Sequence, residues 1–303
     1  MTRFHPTRRQ FGLGLGATMA LAPFSRAFAQ GETRSVTTWI GTYDIPANPQ
    51  RVIAIDNRLD LELALSLDLP LIGYSRDAAA PWVPAGEDLL FIPSPPSVEF
   101  VLGLNPDLII CMDVPGSDIW PLEQLRQIAP VLPTDYTIDW RENLANVAGW
   151  LGAEGRADAA TAQYDAIVAE VAEKHAGKLD RYKVVAVHYF PEDDQIMVRG
   201  AGSSQGRVLA DIGGVTIDPE VIDEGMVSME NVPTLLSDID AIFYNDIDGG
   251  GNFAALGEHP IWSRLPAVVN GKVHRSLGNT NFGGVYSAMY IAREWDAVYS
   301  LLS

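Results

Sequence analysis

A long, uninterrupted helical pattern in the middle of the chain constrains the fold more than any other sequence feature. Apolar residues recur at three- and four-residue steps from Ala157 to Ala172, and residues 154–178 contain no proline. A helix of this length spans roughly 35 Å at ~1.5 Å per residue, about the width of a small domain. The sequence therefore predicts two lobes joined by one long rigid helix, residues 154–178.

Strand patterns and helix patterns alternate on both sides of this helix. Apolar, β-branched strand patterns at residues 108–112, 183–188 and 241–244 are each separated from the next strand pattern by a helix pattern or a loop. Such alternation is typical of a mostly parallel sheet with helices on both faces. The predicted fold class is α/β, with residues 30–153 as the N-terminal lobe and residues 179–303 as the C-terminal lobe.

The first 29 residues have the pattern of an export signal. Arg8 and Arg9 precede a weakly hydrophobic stretch of glycine, alanine and leucine, and small residues follow it up to Ala29. This order resembles a twin-arginine signal peptide. The apolar run is too short and too rich in glycine to span a bilayer comfortably. We expect cleavage after Ala29 and a soluble protein in the periplasm.

Charge and cysteine content exclude several kinds of partner and cofactor. The net charge is −18, from 39 acidic and 21 basic residues, and a surface of this sign repels nucleic acid and anionic lipid. The single cysteine, Cys111, lies in an apolar run, which indicates a buried thiol and excludes an internal disulfide. The later histidines lack metal-site spacing, so we expect no metal bound directly by the protein; they are His175, His188, His259 and His274.

Several short motifs in both halves, in their order and spacing, resemble one family of transport proteins. They lie at residues 49–54, 98–109, 140–144, 206–214, 227–230 and 259–273. Together they resemble the bacterial periplasmic binding proteins that deliver ferric siderophores, cobalamin or haem to ABC importers. The resemblance implies two lobes around a cleft, no enzymatic activity and no cofactor beyond the Fe(III) that a siderophore carries. It also implies the permease subunits of an ABC importer as partners, and we expect a monomer.

A cleft for such a ligand needs aromatic faces and hydrogen-bond donors aimed at exposed ligand oxygens. In doubly wound sheets these groups stand on loops beyond the carboxyl ends of the strands. The candidate ligand-binding residues at those positions are Arg58, Arg76, Trp82, Tyr189, Arg199, Asn245, Asn281 and Phe282. The arginines suit this role because a planar guanidinium can meet paired oxygens and can stack on a ring.

The ligand type is left open between several chelates. Some catecholate binders of the family carry an arginine in the turn where this chain has Ser204, and the acidic surface disfavours a highly anionic complex. Both observations slightly favour a hydroxamate-type ferric siderophore. Haem remains an alternative because Tyr189 or His188 could be an iron ligand, as in haem binders of the family, and cobalamin is the other alternative within the family.

One glutamate in each half stands at the start of a corresponding helix pattern. Glu99 precedes Asp107 by eight residues, and Glu230 precedes Asp238 by the same number. The resemblance implies that these two acids meet arginines on the two permease subunits. Two acids held a fixed distance apart by a rigid helix would make a bivalent, orientation-specific contact.

An exported serine esterase is the competing hypothesis from another functional class. Residues 202–206 fit the G-x-S-x-G pattern with Ser204 as the nucleophile, and Asp246 and His274 follow in the order found in hydrolases. However, no His-Gly-Gly stretch is present for an oxyanion loop, and small residues are expected at any tight turn from strand to helix. We therefore favour a glycine-serine turn that faces the cleft.

Overall fold

The computed structural model describes residues 32–217, 222 and 225–303. The predicted export signal lies outside these residues. The strands are β1 (Thr33–Thr38), β2 (Gly41–Pro46), β3 (Val52–Ala54), β4 (Leu71–Ser75), β5 (Leu90–Ile92), β6 (Leu108–Met112), β7 (Val131–Thr134), β8 (Val184–Phe190), β9 (Gln195–Arg199), β10 (Gly225–Ser228), β11 (Ala241–Asp246) and β12 (Val273–Leu277). The α-helices are α1 (Leu59–Ser66), α2 (Val98–Gly103), α3 (Leu122–Leu125), α4 (Trp140–Leu151), α5 (Glu154–His175), α6 (Ser204–Asp211), α7 (Val232–Leu236), α8 (Gly251–Glu258), α9 (Pro266–Val269) and α10 (Val285–Ser300).

The strands form two five-stranded sheets, one in each lobe. The first has the order β5-β4-β3-β6-β7 with every pair parallel. Its central strands β3 and β6 are buried throughout, as their continuous apolar runs require of a sheet covered on both faces. The second has the order β10-β9-β8-β11-β12. The α/β fold with two lobes is thus confirmed.

The two sheets differ in strand direction, and one hairpin stands outside both. In the second sheet β8, β11 and β12 run parallel, whereas β9 and β10 pair antiparallel at one edge. Strands β1 and β2 form a separate antiparallel hairpin in the chain that leads into the first lobe. The sequence patterns identified neither the hairpin nor β10.

Helix α5 connects the lobes and carries a core that both lobes share. It ends at His175 rather than at residue 178, and it buries Ala157, Ala160, Tyr164 and Val171. A single cluster of buried apolar side chains includes Ile110 of the first lobe, Tyr164 of α5, and Phe243 and Trp295 of the second lobe. Because the apolar core is continuous through α5, wide separation of the lobes would expose it to water.

Among the described residues, no helix combines the length and the apolar character needed to cross a membrane.

A polar network beside this core also joins the two lobes. Asp211 of α6 accepts hydrogen bonds from the Tyr164 hydroxyl at 2.6 Å and from the Arg141 guanidinium at 2.9 Å. On the same side, Arg207 of α6 lies 3.5 Å from Asp139, the residue before α4. Burial raises the pKa of Tyr164, and its hydrogen bond to Asp211 acts in the same direction. Helices α4, α5 and α6 are therefore connected by directed polar contacts.

We expect Tyr164→Phe to lower the free energy of unfolding by roughly 1.5–3 kcal/mol, because it removes a buried hydrogen bond to a carboxylate. Urea denaturation followed by circular dichroism measures this change. Tyr182→Phe is the matched control, since its hydroxyl bonds only the carbonyl of Ser303 at an exposed site. Equal losses in the two variants would contradict a role for the Asp211 network in joining the lobes.

Candidate functional site

An open cavity of about 420 Å³ lies between the two lobes. Leu59 at the start of α1, residues 136–138 between β7 and α4, and Trp140 at the start of α4 line it from the first lobe. Strand β9, the first turn of α6 and the loop before α10 line it from the second lobe. The volume falls within the ~300–1,000 Å³ that is usual for small-molecule sites.

Two aromatic rings from opposite lobes meet at this cavity. Tyr136 and Phe282 pack edge to face, with ring centroids 5.2 Å apart, and each is 42% exposed. The guanidinium carbon of Arg58 lies 5.3 Å from the centroid of the Phe282 ring. Phe282 has a left-handed backbone (φ +61°), which turns the chain into Gly283 and Gly284 before α10. The cleft thus has an aromatic edge with a cation beside it.

A chain of side-chain hydrogen bonds in the second lobe holds a cation at the cavity. Arg199, at the end of β9, lines the cavity and donates to the side-chain oxygen of Asn281. The Asn245 amide also donates to Asn281, at 3.4 Å, and Asn245 accepts from Thr280 at 3.1 Å. Gln205 donates to Thr280 at 2.7 Å. The structure therefore brings Arg199, Asn245, Asn281 and Phe282 together in the second lobe; Arg199 and Phe282 line the cavity, whereas Asn245 and Asn281 do not. A ligand-binding role for these four side chains stays a prediction.

The Arg58 guanidinium is held by a buried carboxylate of the first lobe. It makes two contacts with Asp56, at 3.2 and 2.8 Å, and Trp120 donates to the same carboxylate at 3.3 Å. Arg58 does not line the cavity, but its guanidinium lies over the ring of Phe282, which does. This pairing fixes the direction of the guanidinium, whose outer face lies against the aromatic edge.

The three remaining ligand-binding candidates lie away from the cavity lining. Arg76 stacks over Trp120 at 5.6 Å and lies 3.6 Å from Asp77. Trp82 stacks on Tyr290 with centroids 4.0 Å apart. Tyr189 is buried in the core of the second lobe and donates to Asp194 at 3.1 Å. A ligand-binding role for these three side chains stays a prediction.

The residues of the esterase hypothesis are not assembled into a catalytic triad. Ser204 lines the cavity at the start of α6. His274 pairs instead with Glu294 at 2.9 Å, and Asp246 accepts from Arg275 at 2.6 Å. The spacing of the three residues thus matched the hydrolase order, but strand β12 turns His274 toward α10.

Neither the histidines nor the acids of the described chain form a metal centre. His188 Nδ1 lies 2.8 Å from the carbonyl oxygen of Asn245, and burial lowers the pKa of His188. Within residues 32–217, 222 and 225–303, no group of three or more His, Cys, Asp or Glu side chains is arranged to hold a metal ion.

The two candidate docking acids are exposed, one in each lobe. Glu99 lies in the first turn of α2, and the Ser97 hydroxyl donates to it at 2.9 Å. Glu230 lies in the short 3₁₀ turn Met229–Asn231 that precedes α7. The correspondence of the two positions that the sequence indicated is present in the fold.

The fold and the cleft define a bilobed ligand-binding protein. The family model described as periplasmic binding protein matches residues 93–276, more than half of the chain. The chain therefore belongs to this periplasmic binding protein family, whose members bind substrates and are not enzymes.

Similar proteins are found among characterised sequences and among solved structures. The iron(3+)-hydroxamate-binding protein FhuD of Bacillus subtilis is 30% identical over 59% of this chain, and the match spans 58% of FhuD. The iron(3+)-hydroxamate-binding protein YxeB of the same organism is 24% identical over 89% of this chain and 85% of its own length.

Two solved structures share the fold at lower identity. A FhuD-fold component of a ferrichrome ABC transporter from Bacillus subtilis has a TM-score of 0.73 at 22% identity, covering 88% of this chain and 99% of its own. SirA of Staphylococcus aureus, solved with staphyloferrin B, has a TM-score of 0.69 at 24% identity, covering 89% and 98%.

Asp60, beside the Arg58 site, makes the stability of the protein depend on pH. Its carboxylate is buried and accepts from the backbone amides of Asp56 and Met112 and from the Thr134 hydroxyl. Burial, followed by the nearby charge of Asp56, raises the pKa of Asp60 to about 7. Since the folded state holds this proton above the pH at which the unfolded chain loses it, stability falls as pH rises from about 4 to about 7.

We expect Asp60→Asn to reduce the loss of unfolding free energy between pH 5 and pH 8 by at least about 1.4 kcal/mol, the equivalent of one pKa unit. Urea denaturation of wild type and variant at both pH values measures it. An identical pH dependence in the two proteins would show that Asp60 does not titrate in this range.

Proposed function

We propose that this protein binds a ferric siderophore in the cleft between its lobes and delivers it to an ABC importer. The observation that carries the proposal is the cavity lined by Arg199, whose guanidinium bonds Asn281, and by the aromatic edge of Tyr136 and Phe282. A siderophore already surrounds its iron with oxygen donors, so the protein meets an organic shell and needs no metal ligand of its own. Hydrogen-bond donors and ring faces suit that shell.

A hydroxamate-type siderophore is the ligand class that we propose. Both similar Bacillus subtilis proteins, FhuD and YxeB, bear the name iron(3+)-hydroxamate-binding protein. The cleft also offers few cations for an anionic catecholate complex: Arg199 and Arg207 line it, and Arg207 lies 3.5 Å from Asp139. A complex of low net charge matches this balance better than a highly anionic one.

Delivery would use the exposed acids of the two lobes. Glu99 and Glu230 occupy corresponding positions, and the shared core holds the lobes in a nearly constant relation. A pair of charges at fixed separation gives orientation as well as attraction on a permease with two subunits. We also propose that residues 1–29 direct the protein to the periplasm by the twin-arginine route.

Arg199→Ala should weaken binding of a ferric trihydroxamate such as ferrioxamine B by about tenfold or more, because a charge-assisted hydrogen bond is lost. Quenching of tryptophan fluorescence measures affinity, with ferric citrate, a ferric catecholate and haem as competing ligand classes. Arg293→Ala is the control, since that arginine is exposed and pairs with Glu170 outside the cleft. Saturable binding of haem but of no siderophore would overturn the proposal.

Charge reversal of both docking acids, Glu99→Lys with Glu230→Lys, should abolish siderophore-dependent uptake and leave ligand affinity unchanged. Radioactive iron uptake in cells and fluorescence quenching of the purified protein measure the two effects. The control pair is Glu142→Lys with Glu258→Lys, which changes the net charge equally at one exposed acid in each lobe. Equal loss of uptake in both pairs would point to net charge rather than docking.

A further inference from the structure

A buried carboxylate of the first lobe binds the start of the last helix in the second lobe. Glu62, on α1, is 1% exposed. Its Oε2 accepts hydrogen bonds from the backbone amides of Gly284 at 3.0 Å and Ser287 at 2.8 Å. Its Oε1 accepts from the Ser287 hydroxyl at 2.5 Å. The first amides of a helix have no partner within it, so Glu62 satisfies from the opposite lobe donors that α10 leaves open.

The contact is closely packed as well as hydrogen-bonded. A Cβ added at Gly284 would lie 2.8 Å from the Cβ of Glu62, so only glycine allows this approach. Trp82, also from the first lobe, donates to the Ser287 hydroxyl at 3.0 Å and stacks on Tyr290 one turn further along α10. Two side chains of the first lobe therefore fix where α10 begins.

The segment just before this junction carries ligand-binding candidates into the cleft. Phe282 stands two residues before Gly284 and lines the cavity, and Asn281 accepts the hydrogen bond from Arg199. Glu62 itself is not among the residues that line the cavity. Only Gly283 separates Phe282 from Gly284, so a displacement of the start of α10 would also displace Phe282.

We propose that Glu62 is a positioning residue for ligand binding: by holding the start of α10, it holds the loop in which Phe282 faces the ligand and Asn281 holds Arg199. The inference rests on the proposed binding function. It means that a side chain of the first lobe fixes the position of the second-lobe loop that precedes α10.

The charge of Glu62 gives this role a pH dependence. Burial raises the pKa of Glu62 to about 7, against the effect of its hydrogen bonds from Ser287 and Gly284. From α10 the titratable side chain facing it is Tyr286, whose pKa is raised by burial and by the charges of Glu62 and Asp68. From the β4–β5 loop the facing side chain is the uncharged Trp82. Because the buried contact keeps the Glu62 proton above the pH at which a solvated glutamate loses it, ionisation weakens the contact, and the loop is held less firmly as pH rises towards and past 7.

The hold on the loop is tested without any ligand. Hydrogen exchange followed by mass spectrometry on full-length protein should show amides in residues 280–287 exchanging at least tenfold faster in Glu62→Ala than in wild type. Asp60→Asn is the matched control: Asp60 is buried on the same helix with a pKa also raised to about 7, but its partners all lie in the first lobe. Unchanged exchange in Glu62→Ala, or equal acceleration in Asp60→Asn, overturns the inference.

The consequence for binding is tested with ferrioxamine B from pH 6 to pH 8. Glu62→Ala should bind about tenfold more weakly than wild type at pH 6, where the contact of Glu62 with the start of α10 is strongest. Glu62→Gln keeps the side-chain shape but cannot ionise, so the ratio of wild-type to Glu62→Gln affinity should fall as pH rises. The ratio cancels any titration of the ligand itself, and a ratio that stays constant overturns the positioning role.

Two further outcomes separate this inference from the proposed function. If Glu62→Ala fails to fold, Ser287→Ala removes the hydroxyl contact and should accelerate exchange in residues 280–287 on its own; unchanged exchange there overturns the inference. If wild type binds none of the siderophore complexes, the proposed function falls, while the exchange measurement still decides whether Glu62 holds the loop.

Discussion

The continuous apolar core through α5 is the interaction on which the rest of the structure depends. One face of each sheet packs in the same apolar core, which includes α5 and α10 and is centred on Tyr164 and Trp295. Burial of this kind contributes about 25 cal/mol per Å², so opening the lobes widely would be costly. The cleft is consequently shaped mainly by loops at its rim. The apolar core resists separation of the lobes, and the polar contacts of Asp211 and Glu62 fix their relative orientation.

Much of the fold could be predicted because its strongest signals are local. Continuous apolar runs identified β3 and β6, and helical periodicity identified α5 to within three residues at its end. The antiparallel edge formed by β9 and β10 could not be predicted, since strand direction is decided by which distant segment pairs with which. The hairpin of β1 and β2 was missed because its residues are mostly exposed and carry little apolar alternation.

The candidate site was predictable only in part, for reasons of side-chain direction. The loop beyond the carboxyl end of β12 did bring Asn281 and Phe282 to Arg199, but Arg199 ends β9, which runs antiparallel to β8, so the rule for parallel strands does not place it. Tyr189 was predicted as a ligand-binding residue from its place near a strand end. Neighbours along a strand point to opposite faces, however, and the Tyr189 side chain points into the core. Glu62 was overlooked, although an acid inside the apolar sequence Leu61-Glu62-Leu63 is itself a sign of a buried carboxylate with a specific partner.

The paired rings of Tyr136 and Phe282 bear on how fast a ligand enters. They reach toward each other from opposite lobes at the cavity, so a molecule that enters between them has only two side chains to part. Rotation of half-exposed side chains takes picoseconds to nanoseconds, whereas hinge motion of whole domains takes microseconds to milliseconds. If only two side chains have to rotate, the association rate is limited by diffusion and orientation of the ligand. Differences in affinity between chelates would then arise mostly from their dissociation rates.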